Sequence, residues 1–360
     1  MNIVTATKLY EKWLSGFTPL IEHDLKLKHQ AMSRTPFELL RATFYRWVQI
    51  WPEICREEAE APLVLAVGDL HVENFGSWRD SEGRLVWGVN DFDEACYLPF
   101  TNDLIRLAAS IFLAIEADHL RMNADDACNA ILSGYQDSIR AGGEAFVLAE
   151  GHILLRTMAT GSLRDPALFW KKMMSLPSAI ESMPESAQAA IEHVLPELNL
   201  TCDIRHRIAG LGNLGRQRYV ALAKWKGGMV AREAKALAPP CRDFISASPQ
   251  DREIYYQAVI DRAVRCKDPF ISLQGHWIVR RLAPDCSRIE LASLAEEHDE
   301  SHLLYSMGWE TANIHLGSKT AIKDVIKDLR KRKKNWLRKS ANVMAESVRS
   351  DWAVWRKELS

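Results

Sequence analysis

The stretch from residue 62 to residue 95 constrains this chain more than any other. A short apolar run, LVLAVG, lies between Pro62 and Gly68 and reads as a buried strand. GDLHVENFG follows, then a polar segment, RDSEG, which predicts a turn, then a second strand, RLVWGV, and then the dense acidic motif NDFDEA. A loop–hairpin–loop connection of this kind brings Asp69, Asn74 and Asp91 to one end of the same strands. Asp and Asn are common in loops because they bond their own backbone. Here the strand before, the hairpin between and the acidic motif after argue for more. Phosphoryl transfer from ATP needs such a set. One carboxylate takes or orients the proton of the attacking hydroxyl, while a carboxamide and a second carboxylate hold Mg²⁺, which favours hard oxygen ligands.

VGDLHVEN resembles the catalytic loop of the aminoglycoside phosphotransferase and choline kinase group, which typically reads HGDLHxxN. GVNDFDEACYLPFTNDLIRLA resembles the same group's metal-binding Asp before an aromatic, followed by an Asp-Leu that opens a helix. The resemblance implies that Asp69 is the catalytic base, that Asn74 and Asp91 are metal ligands, and that Asp103 supports the loop. Val67 departs from the pattern, standing where the group usually has His. The blocks MSRTPFELLR, GDLHVENFG, NDFDEA, NDLIRLAAS, GLGNLG and GWETANIHLGS, in that order, also resemble an uncharacterised bacterial family, domain of unknown function 2252. That resemblance covers most of the chain and implies no established reaction.

At 360 residues the chain suits two lobes. Residues 1–60 read as helical. Phe37, Leu40, Phe44, Trp47 and Val48 recur at helical spacing, with Thr35 as cap, Pro36 at the first position and Pro52 ending the pattern. Residues 61–202 read as the catalytic-loop half of the larger lobe, helical from Asn102 onward. Residues 203–285 read as a small lobe with a glycine-rich loop and an antiparallel sheet, containing RYVALA, MVAREA and HWIVRRL as strands and a helix at 250–265. Residues 286–360 read as helices returning to the larger lobe, the last anchored by Trp336, Trp352 and Trp355.

Gly210, Gly212 and Gly215 form GxGxxG, a weak signal alone. A strand, not a helix, follows it, which is the arrangement protein kinases use to cover ATP phosphates. Lys235 is then the candidate for the α- and β-phosphates. Arg232, on the opposite face of the strand, is the alternative, and Glu253 is a candidate ion-pair partner for Lys235. An ordinary hairpin with solvent-facing cations is the competing reading. Kinases place the glycine loop before the catalytic loop, whereas here it comes after. The expected fold is therefore α+β, protein-kinase-like, two-lobed and circularly permuted, with His315 ending the helix that precedes the catalytic loop in circular order.

Other signals are weaker. A formal charge of −1 does not predict a nucleic-acid partner, although residues 327–339 are strongly basic and read as a solvated helix face, with contact to RNA, polyphosphate or an acidic membrane as the alternative. Arg34 and Arg41, on the helix before the first strand, also read as a solvated face, with contact to an anionic substrate as the alternative. Seven cysteines, none in a CxxC, support neither disulfides nor zinc. No signal peptide and no membrane span are expected, which points to the cytoplasm. The expectation is an ATP- and Mg-dependent phosphotransferase acting on a small-molecule hydroxyl or amine. A non-catalytic nucleotide-binding module and an AMP-transferring enzyme of the same fold are the alternatives.

Overall fold

The computed structural model describes residues 1–159, 165–245, 253–286 and 299–359. The fold is α+β. Five helices open the chain: α1 (Ile3–Leu14), α2 (Glu22–Met32), α3 (Pro36–Ala42), α4 (Phe44–Ile54) and α5 (Arg56–Ala59). Thr35 caps α3 by accepting from Glu38 N at 3.2 Å, with Pro36 in the first turn. The apolar stretch expected as one helix is two. Thr43 leaves helical geometry (φ −130°, ψ 46°) and its hydroxyl donates to the Leu39 carbonyl at 2.7 Å. Pro52 does not end α4, because it falls in the last turn and the helix runs on to Ile54.

Next come β1 (Leu63–Ala66), β2 (Phe75–Arg79), β3 (Leu85–Val89) and β4 (Cys96–Pro99). β1 pairs with β4 and β2 with β3, both antiparallel. Asp80 builds the expected turn, its carboxylate accepting from Glu82 N and Arg84 N at 3.0 and 2.9 Å. Helix α6 (Thr101–Glu116) runs through the core, every residue from Thr101 to Ala114 being buried. α7 (Ala124–Ala141), β5 (Phe146–Val147), α8 (Ile153–Ala159), α9 (Pro166–Met174) and α10 (Glu185–Glu192) follow.

The small sheet has five antiparallel strands: β6 (Asp203–His206), β7 (Arg218–Trp225), β8 (Gly228–Ala236), β9 (Ser272–Gln274) and β10 (Trp277–Leu282), in the order β6-β7-β8-β10-β9. Lys226 and Gly227 both take positive φ at the β7–β8 turn, as a tight hairpin demands. Between β8 and β9 lie α11 (Arg242–Ile245) and α12 (Tyr256–Arg262). Part of the helix expected at 250–265, residues 250–252, lies outside the described residues. α10 covers one face of the sheet, Ala187, Ala190 and Ile191 packing with Tyr219, Ala234 and Trp277. Met173 of α9 packs with Val220, Leu222 and Ala231 on the other. These two helices, assigned to the larger half from sequence, thus pack on the small sheet.

The chain closes with α13 (Glu300–His315), α14 (Ile322–Lys331) and α15 (Trp336–Leu359). α7 and α13 cross at Gly134 and Gly308. A Cβ on Gly134 would lie 1.9 Å from the Tyr305 carbonyl oxygen, and one on Gly308 2.1 Å from that of Ile131. Trp336 and Trp355 are buried, and the Trp352 and Trp355 indoles donate to the Ser33 and His29 carbonyls at 3.1 and 3.2 Å, fixing α15 to α2. The basic run at 327–339 is not wholly solvated. Arg332 turns inward, over the rings of Phe100 and Trp336. Among the described residues no helix is long and apolar enough to cross a membrane.

Candidate active site

β1 delivers the chain to Gly68, which holds φ +80° and lies so near Glu94 that a Cβ would be 2.3 Å from its carbonyl oxygen. Asp103, in the first turn of α6, accepts from Val67 N and Gly68 N at 2.7 and 3.1 Å. His315 Nε2 lies 3.0 Å from Asp103 Oδ2, and Nδ1 lies 2.9 Å from the Tyr135 hydroxyl. A carboxylate only accepts, so Nε2 donates to Asp103, and in the neutral ring Nδ1 accepts from the Tyr135 hydroxyl. Val67 gives Asp103 its backbone N–H while its side chain is buried in the main core, and the histidine that bonds Asp103 stands on α13.

Asp69 follows Gly68. Arg106, in the second turn of α6 and fully buried, donates from Nε to Asp69 Oδ1 at 2.9 Å and from Nη2 to the Leu40 carbonyl at 2.8 Å. Its guanidinium lies over the rings of Phe44 and Trp47, 4.8 and 5.0 Å from their centroids. Burial raises the Asp69 carboxyl above its ordinary range, and Arg106 offsets part of that rise. Asn74 Nδ2 donates to the carbonyls of Asp69 and Asp91 at 3.2 and 3.1 Å, tying the two loops together. Its Oδ1 is buried with no hydrogen-bond partner.

The acidic motif meets the small sheet. Lys235 Nζ lies 3.0 and 3.1 Å from the two Asp91 oxygens and 2.5 Å from Asp93 Oδ1. Burial pushes the Lys235 ammonium down and, together with neighbouring Asp91, pushes the Asp93 carboxyl up to about 7. Glu94 accepts from Arg216 Nη2 at 3.2 Å and from Cys241 N at 2.7 Å. Glu253 is exposed and precedes α12, so the partners of Lys235 are Asp91 and Asp93 instead. Arg232 points to the other face of β8, donating to the Val194 carbonyl at 2.9 Å and lying over Phe270. Strand alternation gives the cleft to Lys235.

Gly210 and Gly215 hold positive φ, and a short 3₁₀ turn, Leu211–Asn213, leads on to β7. Gly212 sits against the Asp69 loop, where a Cβ would meet the Arg41 carbonyl oxygen at 3.0 Å and Asp69 Oδ2 at 3.5 Å. Asn213 Nδ2 lies 3.4 Å from Asp91 Oδ2. The N-terminal helices hold this turn down. Buried Lys28 donates to the Gly212 carbonyl at 2.9 Å, and Ile21 N donates to the Gly215 carbonyl at 2.8 Å. Burial lowers the Lys28 ammonium to about 8. Arg34 is exposed, as a solvated face requires, but Arg41 lines the cleft with Nη1 2.7 Å from Glu73. Asp69, Asn74, Asp91 and the 210–213 turn all line this one cleft.

Three contributors escaped the sequence reading: Lys28, Arg106 and Arg216. Arg106 had a signal, since it stands three residues after Asp103 and so on the same side of a helix. Lys28 and Arg216 had none. Among the described residues no three His, Cys, Asp or Glu side chains gather at metal-binding spacing. A Mg²⁺ ion at this cleft would rest on the orphaned Asn74 oxygen and on Asp91, with phosphates supplying further oxygens, a sparse set of protein ligands that suits Mg²⁺.

Residues 20–165 match the family described as uncharacterized protein conserved in bacteria (DUF2252). The matched stretch runs from α2 through α8 and includes Asp69, Asn74, Asp91 and Asp103, and the family resemblance noted from the sequence blocks is borne out over it. No curated protein and no solved structure matches the chain.

Proposed function

We propose that this chain is an ATP- and Mg²⁺-dependent phosphotransferase of protein-kinase-like, circularly permuted architecture, acting in the cytoplasm on a small-molecule hydroxyl or amine. One observation carries the reading. Asp69, Asn74 and Asp91 meet beneath a glycine-rich turn, and Lys235 reaches Asp91 from the third strand of the small sheet. Kinase chemistry uses a glycine loop over the phosphates, a lysine on the third strand, and an Asp and an Asn at the metal ions. Circular order supports it too. From the glycine turn the chain passes Lys235, α12, β9, β10 and α13, whose His315 bonds the same Asp103 that supports the Asp69 loop.

In this reading the acceptor oxygen or nitrogen attacks the terminal phosphorus. The bond to the bridging oxygen breaks, and the nucleoside diphosphate leaves with the electron pair. The acceptor's proton passes to Asp69, whose Oδ1 is held by Arg106 so that Oδ2 faces the cleft beside Gly212. Bound Mg²⁺ would neutralise the phosphate oxygens. Asn74 and Asp91 would hold it, and Lys235 would pass from Asp91 and Asp93 to the phosphates as they enter.

The test is ATP consumption across a screen of small-molecule acceptors, repeated with Asp69→Asn. General-base assistance is worth about 10²–10⁴-fold, so turnover should fall by that factor while nucleotide binding persists. Undiminished turnover in the variant would refute the role given to Asp69.

A further inference from the structure

This inference rests on the phosphoryl-donor reading above and concerns what the donor carries. A phosphate chain running from Asp69 past Asp91 to Lys235 would bring its far end to the buried face of the small sheet that carries Lys235. The strand register fixes the side chains on that face. Glu233 precedes Lys235 by two residues on β8 and shares its side. The Cα partner of Lys235 on β7 is Arg218. On β10, Ile278 partners Lys235 and Arg280 partners Glu233.

Charge fills this surface. Glu233 is wholly buried and accepts from Arg280 Nε at 2.8 Å and from Arg207 Nη1, with Arg218 Nη1 at 3.6 Å. Against the cost of burial, the guanidinium groups hold its carboxyl well below the ordinary range. On the other side of Lys235, Leu237 and Ala238 are packed into the main core with Ile278. A nucleobase asks for a thin, mostly apolar slot with a few placed polar groups. The positions flanking Lys235 hold instead a carboxylate gripped by three arginines on one side and filled core on the other. Opening such a cluster would strand buried charge. The balance favours anions. Arg207, Arg218, Arg280 and Lys235 are four cations against three carboxylates, Glu233, Asp91 and Asp93, and Arg218 Nη2 is buried without a partner.

We infer that the donor is recognised by its phosphate chain and not by its base, so that the ligand class is a Mg²⁺-bound linear polyphosphate, free or carried on any nucleoside. The Glu233 cluster is what makes the site indifferent to the base.

The experiment titrates the intact chain, in excess Mg²⁺, with ATP, GTP, CTP, inorganic tripolyphosphate and adenosine, reading Kd by calorimetry and displacement of ATP by competition. The three nucleotides and tripolyphosphate should bind within about tenfold of one another and compete, and adenosine should not bind. A preference for ATP of more than about tenfold over GTP, CTP or tripolyphosphate would overturn base indifference while leaving the phosphotransferase reading intact. Binding of adenosine in addition to the phosphate compounds would do the same. If none of the phosphate compounds bound, the donor reading and this inference would fall together.

Discussion

Lys235 and Asp91 join the two halves of the cleft: the ammonium on β8 lies 3.0 and 3.1 Å from the two oxygens of a carboxylate that follows β3. The same ammonium lies between Asp91 and Asp93, whose carboxylates would otherwise repel each other in a buried setting. Lys235→Met removes that cation. Breaking a buried pair by deleting one partner costs about 3–5 kcal/mol, and urea unfolding at pH 8 should show a loss of that order. The sign of the pH effect follows from Asp93. Its carboxyl is raised to about 7 even with Lys235 present, and higher without it. Protonation then relieves the repulsion, so the deficit of the variant should shrink as pH falls from 8 towards 6. A deficit that grew on acidification would contradict this arrangement.

Lys28 makes an opposite prediction. It is buried with its ammonium on the Gly212 carbonyl, and its pKa is lowered from 10.5 to about 8. Between those values the unfolded chain binds more protons than the folded one, so folding stability rises with pH across that window and is lost as pH falls from 10.5 to about 8. The total is about 3 kcal/mol. Lys28→Met abolishes this slope and should unfold no more easily than the parent at pH 7. The glycine turn, however, loses its tether. Amide exchange at 210–215 should quicken and MgATP affinity should fall. A turn as protected as the parent's would show that Lys28 does not hold it.

Asp103 carries the loop. It accepts from Val67 N, Gly68 N and His315, all buried. Asp103→Ala leaves these donors unsatisfied, each at about 1–3 kcal/mol, so denaturation should show a loss of several kcal/mol. Asp103→Asn keeps one acceptor oxygen and should recover part of it. Equal losses in the two variants would refute the role of those hydrogen bonds.

Much of this was legible in the sequence, and the reasons differ by element. The strands around Asp69 and Asp91 were readable because β-branched runs end at Gly, Pro and polar turns within a few residues. The small sheet was readable at β7, β8 and β10 for the same cause. β5 and β9 are two and three residues long, too short for a pattern. The break at Thr43 was hidden because apolar spacing continues across it, while the side chain bonds back to Leu39. Lys28 meets Gly212 across 184 residues, and no local pattern announces such a contact.

Gly308 and Gly134 were likewise invisible as contacts. Gly308→Ala sets a methyl group 2.1 Å from the Ile131 carbonyl oxygen, so α7 and α13 must separate. Overpacking of this kind costs about 1–3 kcal/mol and more where backbone must move. Thermal unfolding should show it. Gly83→Ala, at an exposed turn with nothing within 4 Å, serves as a control whose cost comes only from its φ of +73°.

Everything proposed for this cleft depends on Asn74 and Asp91 holding Mg²⁺ against a phosphate chain. The most direct measurement is the thermal shift produced by ATP with and without Mg²⁺, in the parent and in Asp91→Ala. At a ligand concentration of about 100 times Kd, linkage gives about 2.7 kcal/mol, or about 4 °C for a cooperative chain of this size. The parent should show a Mg²⁺-dependent shift of that order, and Asp91→Ala should lose the Mg²⁺-dependent part. An equal Mg²⁺-dependent shift in Asp91→Ala would contradict the role given to Asp91.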